Sequence, residues 1–139
     1  WVRRFGLAAV LRDGVAASLF ASVLGLVISL IAGLLHGAGL LPTRPSLFAW
    51  AAGFLLPLVT GALSQLLPVW RWPGPVIPAR GIMRQKLAAS GNVRAALFLA
   101  AALALIGNWL AIGGALTMLG LAFFVIGLLQ AVRVQRASR

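Results

Sequence analysis

The stretch LFAWAAGFLLPLVTGALSQLLPVW, Leu47 to Trp70, decides how the rest of the chain is read. It carries no formal charge. As a helix at about 1.5 Å per residue it is roughly 36 Å long, enough to cross a hydrocarbon core of about 30 Å with some tilt. Ala49, Gly53, Pro57, Gly61 and Gln65 follow one another at four-residue spacing and therefore share one stripe. The small residues let a neighbouring backbone approach, so Gly53 and Gly61 are expected in a helix contact. Pro57 lies near mid-span, where its ring removes a donor and crowds the preceding turn; a kink is expected there.

Composition places the whole chain in the same class. Hydrophobic residues make up 62% of it and its mean hydropathy is +1.05, well above an ordinary soluble domain. Charged residues are only 9%, Asp13 is the sole acid, and the formal net charge is +11. The basic residues fall in connections between apolar spans, which points to topology and anionic lipids rather than to nucleic acid. Without cysteine there is no disulfide, iron–sulfur cluster or thiol chemistry.

The remaining chain supplies three more spans. The first, about 15–36, repeats small residues at Ala17, Ala21, Gly25, Ser29, Gly33 and Gly37, a long face suited to close packing. The second is about 47–70, the third about 95–112 and the fourth about 115–132. Asn108, Gly113 and Gly114 lie at or near the last turn, so the final two helices are expected to form a tight hairpin. Gly113, Gly120 and Gly127 recur every seven residues along the fourth helix.

Residues 1–14, with Trp1, Phe5, Arg3, Arg4 and Arg12, suit an interfacial segment at headgroup level; no signal-peptide cleavage site follows. The loop 71–94 opens with Pro73, Pro75 and Pro78, an extended run, before a short interfacial helix over Gly81 to Ala89. Arg80, Arg84 and Lys86 in that loop suit anionic lipid or an acidic partner. The N-terminal segment, this loop and the tail hold eleven of the twelve lysines and arginines, leaving Arg44 on the other side. The positive-inside rule then puts both termini and the 71–94 loop in the cytoplasm, provided no further span precedes Trp1.

Chemistry-bearing residues are sparse. With Asp13 at a span edge and no Lys or Arg inside the mapped spans, the groups that proton relays and ion-coupled transport use are missing. One histidine and one acid also fall short of a three- or four-ligand metal site or a hydrolytic triad. His36 is the one candidate ligand for haem iron or bacteriochlorophyll magnesium; with Ala32 before it, it resembles the Ala-x-x-x-His arrangement of light-harvesting helices. Its competing reading is an interfacial histidine bonded to water or to a turn carbonyl.

A second resemblance rests on Gly53-Phe54, Gly61 and Leu67-Pro68: glycine, aromatic, six residues, glycine, five residues, then Leu-Pro. This run resembles bacterial membrane proteins related to the haem-copper oxidase catalytic subunit, including short members. Their helix carries histidines five to seven residues before the first glycine and often another near the Leu-Pro. Here Ser46, Phe48 and Gln65 or Ser64 stand at those positions. The resemblance therefore implies a retained scaffold without the haem and copper ligands, and no oxidase residue carries over.

The expectation is an all-α integral membrane protein of four transmembrane helices in a bacterial inner membrane. Its expected role is that of a non-catalytic accessory subunit packing against other membrane protein subunits of a larger bioenergetic complex. Two alternatives remain: a haem- or bacteriochlorophyll-binding electron-transfer or light-harvesting component, and a stand-alone permease or sensor.

Overall fold

The computed structural model describes residues 6, 13–41, 43–74 and 78–137. The interfacial segment expected over 1–14 falls outside these except for Gly6, Asp13 and Gly14, as do residues 75–77 of the proline run. The described residues form α1 (Gly14–Gly37), α2 (Thr43–Trp50), a π-helical turn (Ala51–Leu55), α3 (Leu56–Arg71), α4 (Pro78–Ala88), α5 (Gly91–Ile106) and α6 (Leu110–Ala137). Four helical stretches are long and apolar enough to cross a membrane: Gly14–Gly37, Ser46–Arg71, Pro78–Ile106 and Leu110–Arg133.

Each helix end has a local cause. Asp13, in extended conformation, caps α1: its carboxylate accepts from the Val15 N–H at 2.9 Å and the Ala16 N–H at 3.5 Å. At the far end Gly39 adopts φ 75°, and the Gly39 and Leu40 N–H groups donate back to His36 and Leu35 carbonyls. This closes a Schellman turn.

The same motif ends α5 on a non-glycine residue. Asn108 has φ 64°, its N–H donates to the Leu105 carbonyl, and the Trp109 N–H donates to Ala104 at 2.8 Å. Asparagine tolerates this left-handed conformation better than most side chains. The turn is thus Gly107–Trp109, which corrects the expected boundary: the third span ends at Ile106 rather than 112, and α6 starts at Leu110 rather than 115. Gly113 and Gly114 lie inside α6.

Pro57 acts through the turn before it. Lacking an N–H, it cannot take the Gly53 carbonyl, and the helix widens over Ala51–Leu55 so that the Leu56 N–H reaches back to Ala51. The widened turn presents Gly53 to α1. A Cβ on Gly25 would overlap the Gly53 carbonyl, and a Cβ on Gly53 would come 2.7 Å from the Ala102 Cβ. Two turns away a Cβ on Gly61 would sit 3.0 Å from the Ser18 Cβ. α1 and α3 therefore run antiparallel, with backbone on backbone at mid-span.

α1 meets α5 by the same device at its start. A Cβ on Gly14 would overlap the Ala88 carbonyl and one on Gly91 would overlap Gly14. Ser18 Oγ donates to Gly14 O at 2.9 Å and lies 3.4 Å from Gly91 O. α5 and α6 pack along one another through Leu105 on Gly113 and Phe98 on Gly120. A cluster of Ala49, Ala52, Ala101, Ala102 and Leu105 fills the centre, and Met83 and Leu87 of α4 pack on Ala131 below it.

The expected packing residues of the α1 stripe divide into two groups. Ala21 and Gly25 are buried, and Ser29 is half-buried with its hydroxyl on Gly25 O at 2.7 Å. Gly33 continues the stripe but has nothing within 4 Å of a Cβ built on it. Past Ser29 only Ala32 of α1 is buried, while Leu30 and Leu34 are 65% and 76% exposed. α1 thus has one half closed against the rest of the chain and one half, past Ser29, open apart from Ala32.

Candidate functional site

The buried stripe of α5 is Gly91, Arg94, Ala95, Phe98, Ala101, Ala102 and Leu105, spacings of three and four that define one helix face. Arg94 is the anomaly. It falls within the 71–94 stretch expected as a loop, yet it is a core residue with 0% of its surface exposed. The correction follows from where α5 begins: Ser90 and Gly91 look like loop residues, but the helix starts at Gly91. Extending the Phe98 stripe back by four residues is the sequence signal that reaches Arg94.

Four helices converge on its guanidinium. Nη1 donates to the Leu87 carbonyl at 3.2 Å and lies 3.5 Å from Ser90 Oγ. Nη2 donates to Ser64 Oγ at 3.2 Å, and Ser64 in turn donates to the Thr60 carbonyl at 2.7 Å. The Phe124 ring centroid is 5.1 Å from Arg94 Cζ, within cation–π range. Leu87 lies in the last turn of α4, whose carbonyls lack helical partners, so Arg94 also terminates α4 with a positive charge.

This network is incomplete. Arg94 Nε–H is buried with no hydrogen-bond partner among the described residues. The chain's only acid, Asp13, is spent on capping α1. Burying a cation costs several kcal/mol even after relaxation. Hydrogen bonds from a charged donor return about 1.5–3 kcal/mol each. The two short ones here offset much of that cost but leave the charge itself unneutralised.

Beside the arginine a groove of about 360 Å³ runs between α4, α5 and α6. Its polar end is Lys86, Ser90 and Gln130; its apolar walls are Val93, Phe123 and Ile126. Gly127 forms the floor. A Cβ there would meet only the Lys86 carbonyl and Ser90 Oγ, both at 3.8 Å, so this glycine keeps a space open rather than seating a helix. Of the expected lipid- or partner-contact residues, Arg84 and Lys86 are exposed and Arg80 is half-exposed, but only Lys86 reaches the groove.

His36 is at the opposite end of α1. Its Nδ1 lies 2.6 Å from the Leu41 carbonyl, which requires the proton on Nδ1. The ring thus closes the turn after α1. Ser64 accepts from Arg94. Thr117 Oγ1 donates to Gly113 O and Thr60 Oγ1 to Leu56 O, both at 2.8 Å, so these hydroxyls bond their own helices. Among the described residues no group of three His, Asp or Glu side chains comes together. Comparison with protein-family models, curated proteins and solved structures yields no match.

Proposed function

We propose that this chain is a non-catalytic accessory subunit that packs against helices of other subunits in a larger bioenergetic assembly of a bacterial inner membrane. The observation that carries this reading is the division of the α1 stripe. Ala21 and Gly25 are consumed by contacts within the chain, whereas Gly33, two turns on, faces open space beside Leu30 and Leu34. A glycine exposed on a membrane helix lets a second backbone come close. In lipid alone it gains nothing over a larger apolar residue.

The arrangement in the membrane follows from charge. Arg71, Arg80, Arg84, Lys86 and Arg133 belong to the same end of the bundle as Gly14 and Gly91, and that end is the cytoplasmic one by the positive-inside rule. The last two helices form a hairpin whose turn, Gly107–Trp109, lies on the opposite side.

The test is the native mass of the protein extracted from its own membranes in a mild detergent. A mass far above 14.5 kDa, with defined co-purifying proteins that are lost in Gly33→Leu, is the expected result. A lone chain, or a complex unchanged by Gly33→Leu, rejects the reading.

A further inference from the structure

We propose that the groove between α4, α5 and α6 binds the phosphodiester headgroup of one anionic phospholipid, whose negative charge neutralises the buried cation behind it. Three observations lead there. Arg94 is wholly buried, has an unpartnered Nε–H, and belongs to a chain whose single carboxylate is engaged elsewhere. Its counter-charge therefore comes from outside the chain.

The link between Arg94 and the groove is Ser90. Its oxygen accepts from the guanidinium, which leaves the hydroxyl proton to be donated to a second acceptor. That oxygen lies beside Gly127 on the groove floor, with the exposed Lys86 and Gln130 at the rim. Lys86, a hydroxyl donor and an amide donor at one end of the cleft, with the Arg94 cation behind Ser90, match the oxygens of a phosphodiester.

The order of polar and apolar residues selects a lipid over free phosphate. From Ser90 to Val93 and from Gln130 back to Phe123, both helices run from the basic end toward the middle of the membrane. The cleft accordingly changes from polar to apolar in the sense in which a phospholipid changes from headgroup to acyl chain. A free anion uses only the upper half.

The full-length chain in mild detergent is exchanged into phosphatidylglycerol or phosphatidylcholine and examined by native mass spectrometry, with inorganic phosphate as competitor. One phosphatidylglycerol is retained per chain, phosphatidylcholine is not, and inorganic phosphate does not displace the lipid. Lys86→Gln weakens retention about fivefold, from roughly 1 kcal/mol per interfacial charge. Gly127→Leu keeps every charge but fills the floor, and it abolishes retention. Thermal unfolding followed by circular dichroism checks that each variant is folded; should Gly127→Leu not be, Gln130→Leu at the exposed rim replaces it. Equal retention of both lipids, or wild-type retention in the folded variants, overturns the proposal. Displacement by inorganic phosphate overturns the lipid assignment in favour of a small-anion site.

Discussion

The carbonyl of Gly53 lies directly against the α-carbon of Gly25, and neither position has room for a side chain. The contact exists because Pro57 cannot pair with that carbonyl and the π-helical turn swings it toward α1. Gly53 and Pro57, one turn apart, thus form a single joint at mid-span with Gly25, which lies 28 residues before Gly53. Gly25→Ala should destabilise the isolated protein by about 1–3 kcal/mol, the usual cost of overpacking, whereas Gly33→Ala should not. Reversible unfolding in mixed micelles measures both. Equal effects would remove the distinction between the closed and open halves of the α1 stripe.

The Arg94 network makes a prediction about coupling. Ser64→Ala leaves a buried guanidinium N–H without its acceptor and should cost about 1–3 kcal/mol. In an Arg94→Met background the same change should cost much less, a coupling of about 0.5–3 kcal/mol. The four proteins of the cycle are compared by unfolding free energy. Additive effects would mean that the 3.2 Å bond contributes nothing.

Gly113 and Gly114 are neighbours with opposite prospects. A Cβ at 113 would fall 2.7 Å from Leu105 Cδ2, while one at 114 meets nothing within 4 Å. Gly113→Ala should lose about 1–3 kcal/mol. Gly114→Ala should gain up to about 1 kcal/mol from helix propensity. Thermal melts of the two variants in one detergent decide the matter, and the expected sign differs between them.

Asn108 holds a left-handed conformation in the turn between α5 and α6. Asn108→Gly should leave stability nearly unchanged, and Asn108→Val, β-branched and without the short polar side chain that eases this conformation, should cost about 1–2 kcal/mol. If both variants melt together, the turn does not depend on φ 64° at this position.

The cap on α1 is the last. Asp13→Ala removes the acceptor for the Val15 and Ala16 N–H groups and should cost about 0.5–2 kcal/mol. Asp13→Asn should retain most of it. Comparing the melting temperatures of the two variants separates the hydrogen bond from the charge.

Four apolar spans and the asymmetry of the basic residues were legible in the sequence, because hydropathy and charge are properties of the residues themselves and lipid selects on them directly. Gly53 and Gly61 were also legible as contact residues, since four-residue spacing alone puts them on one helix face. What spacing cannot say is which neighbour that face meets. Gly25 and Gly33 belong to the same repeat, and only the tertiary structure seals one against Gly53 and leaves the other open. The helix boundary at Asn108 was hidden by Gly113 and Gly114, which mimic a turn in composition but serve as seats for packing or as open surface. Arg94 shows the limit most clearly. Its charge and its nearness to Ser90 and Gly91 argue for a loop, and its burial arises only when Ser64, Leu87 and Phe124, from three other helices, close around it.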